Sequence, residues 1–144
     1  MIPLQTGLFA SAGAGELFLL ARLLFGGVLA FMGVNHFLNV DEMTGYAEFK
    51  GLPAPRFGVV ASGVLLVAGG LVVGAFPVLS AGALAAFLLV SGVIFHDFWA
   101  VDDPEEQQAE MTNFLKNAFG AGAALAFLAL GGTAWSYALG VGLF

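Results

Sequence analysis

Five side chains in this sequence could do chemistry beside an oily environment: Arg22, His36, His96, Asp97 and Lys116. Histidine changes charge near neutrality, so it can hold a proton, pass one on, or bond a polar head group. A 60-residue shift lays His36 in "FMGVNHFLNVDE" on His96 in "SGVIFHDFWAVDD". Each histidine closes an apolar run and is followed by acids. Asp97 comes next in the chain, and Lys116 lies a few residues into the following apolar run, in "FLKN". A lone charge in apolar surroundings is costly, so an Asp97–Lys116 pair is expected, flanked by the two histidines. Such a group suits a polar pocket that binds a quinone head or moves a proton. The plainer reading is an interfacial girdle with Trp99 and Phe98 as belt aromatics, and over the whole chain Tyr46, Trp99 and Trp135 are the expected interface aromatics. Two histidines and scattered carboxylates are a thin basis for a metal site. A haem held by His36 and His96 would need both to approach one iron from opposite sides.

Arg22 stands six residues past Glu16, roughly 9 Å deeper along a helix. An arginine at the centre of a membrane span costs roughly 2.5–3.5 kcal/mol on insertion scales. It can snorkel, or it can find Ser80, Thr133, Ser136 or Tyr137 at similar depth. A ligand or head-group anion site is the functional reading. Arg22, Gly26, Leu29, Gly33 and His36 recur at the spacing of one helix face, with glycines that let a neighbour come close. Ala81, Ala85, Leu88, Gly92 and His96 repeat the pattern, and Lys116, Gly120, Ala123, Phe127 and Gly131 form a similar track.

The elements that position these residues follow from composition. Hydrophobic residues make up 60% of the 144 residues and charged residues 10%, against about 25% charged in soluble domains. The 39 residues between Arg56 and His96 contain no ionisable side chain. One crossing needs about 20 residues, so this run is two crossings, with "GAFP" as the turn. The reading is an all-α chain forming one domain over 1–144. Its four membrane helices lie near 16–36, 57–76, 78–99 and 113–136, in two parallel helical hairpins. An even number of spans puts both termini on one side and the 35–56 and 97–112 connections on the other. Lys50, Arg56 and Lys116 then place those loops in the cytoplasm by the positive-inside rule. "DEMTGYAEFK" reads as a short interfacial helix, "GLPAP" as a stiff turn, and Asp103 before "PEE" as an N-cap that starts the last helix in water near 104. No Lys or Arg precedes the first span, which argues against a signal peptide. The chain has no cysteine, which excludes disulfides and thiolate-held clusters, and its formal charge of −6 argues against nucleic acid.

The ordered set "LLARLLFGGVLAFMGVNHF", "YAEFKGLPAP", a glycine-rich second span, "IFHDFW" and "FLKNAFGAGAALAFLALGG" resembles the DoxX family of small four-helix membrane proteins. The likeness runs over about residues 16–132. His36 departs from the Gly and Lys that close the first span in many relatives. The resemblance implies association with quinol oxidases, sulfur oxidation or thiol and oxidative-stress handling in membrane oxidoreductase complexes. The expected function is therefore an accessory membrane subunit of a quinone-linked oxidoreductase system. It would have no intrinsic cofactor, and would offer a surface to a quinone, to partner subunits or to a second copy. A structural or small-solute carrier protein is the alternative, and a catalytic activity of its own is left open.

Overall fold

The computed structural model describes residues 7, 9–73 and 75–138, with Val72 by its backbone alone. The architecture is all-α. Among the described residues five helices follow one another: α1 (Ala14–Leu38), α2 (Val40–Phe49), α3 (Pro55–Val72), α4 (Pro77–Phe95) and α5 (Pro104–Leu130), with a 3-10 turn at Phe98–Ala100 between the last two. Among the described residues three segments are long and apolar enough to cross a membrane: Ala14–Leu38, Pro77–Ala100 and Pro104–Leu130. Pro55–Leu71 is a shorter apolar helix. Leucine, valine and phenylalanine side chains stand exposed along these helices, including Leu17, Leu20, Leu24, Phe31, Leu71, Val90 and Phe119. Water would not tolerate that surface and lipid does, so the chain is a multi-pass membrane protein.

Local chemistry sets the helix ends. Asp103 caps α5 by accepting a hydrogen bond from the Glu106 N–H at 2.9 Å, with Pro104 at the first helical position. The α2 helix closes with paired backbone bonds, Leu52 N–H to Ala47 O and Gly51 N–H to Glu48 O, both at 2.9 Å. That closure needs a left-handed residue, and Gly51 supplies it at φ 77°. The last helix ends at Leu130, six residues before the expected 136. The Gly131–Gly132 pair follows, and the Thr133 hydroxyl turns back to the Leu130 carbonyl at 2.7 Å. α4 likewise stops at Phe95 rather than 99, because the chain tightens into the 3-10 turn.

Packing runs chiefly between α1 and α3 and between α4 and α5, with a lighter contact of α3 on α4. The first pair is a glycine contact. A Cβ on Gly26 would collide with the Gly70 carbonyl oxygen, and one on Gly33 would lie 2.7 Å from the Gly63 carbonyl oxygen. Close backbone approach replaces side-chain interdigitation along this seam. The buried residues of α1 are Arg22, Gly26, Leu29 and Gly33. In α4 they include Ala81, Ala85, Leu88 and Gly92. The core joins Leu29, Leu66, Leu84, Ala85, Leu88, Ala121 and Ala124.

The expected track on the last membrane helix is corrected at its loop end: Phe127 is buried and Gly120 packs against Leu88, but Lys116 is not on the inner face. That face is Asn117, Ala121, Ala124 and Phe127, whereas Lys116 is exposed beside Leu115 and Phe119. Asn117 donates to the Leu88 carbonyl at 3.1 Å and to Ser91 Oγ at 2.9 Å, tying α5 to α4 within the bundle.

Candidate functional site

The loop end of the bundle gathers side chains from α2, α4 and α5. Because α2 is short and turns back after Asn39, it carries Tyr46 and Lys50 to the end of α4. The Tyr46 hydroxyl donates to the Phe95 carbonyl at 2.8 Å and meets Glu110 Oε1 at 3.3 Å. The other carboxylate oxygen of Glu110 accepts from His96 Nδ1 at 2.7 Å. An ionised carboxylate offers only acceptors, so Nδ1 bears the hydrogen and the imidazole Nε2 is left for another partner. Beside this chain of bonds, Lys50 forms an ion pair with Asp97 and lies 5.6 Å from the Tyr46 ring centre.

The expected Asp97–Lys116 pair is therefore corrected. Asp97 pairs with Lys50, and Lys116 is in no ion pair among the described residues. The rotation of α5 that turns Asn117 inward carries Lys116 out toward lipid, while α2 brings a nearer cation. Side-chain exposures of 13% for Lys50 and 28% for Asp97 make this a half-wet pair. Burial alone would lower the Lys50 pKa. The hydrogen bond to Asp97 and the neighbouring Tyr46 outweigh it and hold the ammonium above its ordinary value. The Tyr46 phenol is pushed up as well, first by burial and then by the negative charge of Glu110.

Tyr46 also lines an open groove of about 560 Å³ with Asn35, Asn39, Glu42 and Met43. Tyr46 is thus common to this groove and to the bonds at Glu110. His36 lies elsewhere. Its Nδ1 bonds the Met32 carbonyl one turn back at 2.8 Å, and its Cβ packs against Gly63 of α3. The two histidines engage different partners. Trp99 is exposed against Phe98 and Phe114. Trp135 is buried, edge-on to Phe18 at 4.9 Å, so it lines the interior and not the lipid boundary.

Arg22 occupies the opposite end. Of the partners expected from depth, it takes the backbone carbonyl of Ser136. Ser80 and Thr133 turn to carbonyls of Phe76 and Leu130, and Tyr137 donates to Glu16. The guanidinium carbon lies 5.2 Å from the Phe18 ring and 5.3 Å from the Trp135 ring. Cation–π contacts of this kind are worth about 0.5–2 kcal/mol each and offset part of the burial cost.

Sequence reasoning placed Tyr46 as an anchor and Lys50 only as a topological charge, and it passed over Glu110 and Asn117. Glu110 follows the Asp103 cap by seven residues, two turns of the same face. That spacing was the available signal that it points back toward the cap side of α4. Among the described residues no group of three His, Cys, Asp or Glu side chains could hold a metal ion.

No curated protein and no solved structure matches this chain. The family model described as DoxX matches residues 17–97. That segment holds Arg22, Tyr46, Lys50, His96 and Asp97, and leaves Glu110 and the rest of α5 beyond it. It covers more than half of the 144 residues, and the chain belongs to the DoxX family.

Proposed function

We propose that the protein is an accessory membrane subunit of a quinone-linked oxidoreductase system. In this reading the loop-side groove receives the head of a quinone or a partner segment. The observation that carries it is the bond chain from Tyr46 through Glu110 to His96, whose first member lines the groove. A quinone head presents carbonyl oxygens, which an asparagine amide can bond, and which the Tyr46 hydroxyl can bond by turning its one hydrogen away from the Phe95 carbonyl. The Asn39 amide is turned onto Asn35, while Asn35 has an amide of its own on the groove. The His96 and Glu110 side chains that continue this chain of bonds are each partly exposed, at 24% and 16%. Electrons would come from partner subunits, since this chain has no cysteine for a thiolate-held cluster.

The proposal includes a single domain over 1–144 with α1, α3, α4 and α5 as four spans. The α1–α3 and α4–α5 pairs form two hairpins running the same way. Both termini face one side, and Lys50, Arg56 and Lys116 favour cytoplasmic loops on the other.

Protein purified in mild detergent and extracted with organic solvent should release quinone close to one per chain, and Tyr46→Phe should lower that yield severalfold. Absence of quinone from freshly purified protein, together with solute flux in reconstituted vesicles, would contradict the reading and favour a carrier. Four spans are few for alternating access, so a carrier would also have to be a dimer.

A further inference from the structure

Arg22 is 4% exposed, and among the described residues it has no carboxylate in an ion pair with it. The ion pairs among the described residues are Lys50–Asp97, Arg56–Asp41 and His96–Glu110. Glu16, one and a half turns away on the same helix, accepts instead from the Tyr137 hydroxyl at 3.1 Å.

A guanidinium presents N–H groups in planar forks that match two oxygens of a carboxylate or phosphate. Nε and Nη2 form one such edge. Here Nη2 donates to the Ser136 carbonyl, while Nε is buried and has no partner among the described residues. One carbonyl oxygen sits on an edge made for two. A buried N–H left unpaired costs about 1–3 kcal/mol, more for a charged group, and packing alone does not repay it.

The group covering Arg22 is also lightly held. The segment 131–138 follows the end of α5, and from residue 134 on it makes no backbone N–H bond among the described residues. Side-chain contacts fix it: the Arg22–Ser136 bond, Tyr137 on Glu16, and Trp135 Nε1 on the Leu130 carbonyl at 2.7 Å. Tyr137 adopts a left-handed φ of 57°, which a residue with a Cβ disfavours. Phe18, Phe25 and Phe127 pack around the same place, and Leu17, Leu20 and Leu24 of α1 stand exposed beside it.

We propose that Arg22 is a receptor for the oxyanion of an amphiphile, a phosphate or carboxylate on an alkyl chain. The oxyanion displaces the Ser136 carbonyl and satisfies Nε and Nη2 together. The alkyl chain lies along the aromatic rings and the apolar side of α1. The site is at the other end of the bundle from the quinone groove and does not depend on it.

The test uses the full chain in neutral detergent with Trp99→Phe, which leaves Trp135 as the one tryptophan. Dodecyl phosphate should change Trp135 emission saturably. Dodecanol, with the same chain and no oxyanion, should bind at least tenfold more weakly, as should inorganic phosphate. Arg22→Gln should weaken dodecyl phosphate at least tenfold, and Tyr137→Phe, which frees the covering segment, should tighten it. If Arg22→Gln does not fold, the dodecanol comparison on the Arg22 protein decides alone. Equal responses to dodecyl phosphate and dodecanol, or no response to either, would overturn the proposal. Inorganic phosphate saturating as tightly as dodecyl phosphate would overturn the amphiphile and leave a free-anion receptor.

Discussion

The Lys50–Asp97 pair shows how a charge at a membrane boundary selects its partner. Asp97 and Lys116 are close in depth and both needed one, but depth is only one of three coordinates. Rotation about α5 turned Lys116 to lipid, and the fold-back of α2 supplied Lys50. Asp97→Ala is expected to destabilise the bundle by about 1–3 kcal/mol, toward the low end because the pair is partly wet. Lys116→Ala should cost under about 0.5 kcal/mol. Loss in the Lys50→Ala, Asp97→Ala double variant should fall short of the sum of the single losses, measured by detergent melting. Strict additivity, or an equal loss for Lys116→Ala, would contradict this pairing. The pKa directions add a pH profile. Lys50 and Tyr46 both lie above their ordinary values of about 10.4 and 10. Their stabilising contribution is fully present below those values and is lost as pH rises through the raised ones. The melting temperature should therefore carry no slope from these two groups between about pH 7 and 9 and should fall above about pH 10. Tyr46→Phe should shrink that alkaline fall. Arg22, His96 and Asp97 could be singled out in the sequence because a polar residue in an apolar run is conspicuous. Glu110 and Asn117 could not, because one sits in a run of acids and glutamines and the other is an uncharged side chain next to a lysine.

Helices were legible where the apolar runs are long and their punctuation is chemical, as at Asp103–Pro104 and "GLPAP". Their ends were less so, because hydropathy continues past Leu130 while the Gly131–Gly132 pair ends the helix. The α1 stripe was readable because its period is marked by glycines, and the contact with α3 explains them. Gly33→Ala should cost about 1–3 kcal/mol, since the new methyl would meet the Gly63 backbone, which cannot step aside. Gly27, one residue along from Gly26, has nothing within 4 Å of an added Cβ. Gly27→Ala should be neutral or stabilising by up to about 1 kcal/mol. Melting of the two variants side by side checks the orientation of α1, and equal losses would contradict it. Asp103→Ala should cost about 0.5–2 kcal/mol, mostly as fraying of the first turn of α5 seen by hydrogen exchange.

For the whole molecule, the chain divides into two chemically distinct ends. One carries the Tyr46–Glu110–His96 bonds beside an open groove, and the other a buried guanidinium under an aromatic cover. Trp99 stands at the first end and Trp135 at the second, so each reports on its own side. The absence of cysteine makes single-cysteine labelling straightforward. Introduced at Glu48 and at Glu105, cysteines should react from the same side of sealed vesicles, as a four-span chain requires, and labelling from opposite sides would contradict that count. The central claim rests on the groove. Its most direct measurement is a quinone titration of the Trp135→Phe chain, in which Trp99 is the reporter. Saturable quenching is expected at about one quinone per chain, weakened at least tenfold by Tyr46→Phe and left unchanged by Lys116→Ala. Quenching that rises linearly without saturation, or that is identical in Tyr46→Phe, would contradict a quinone site at Tyr46.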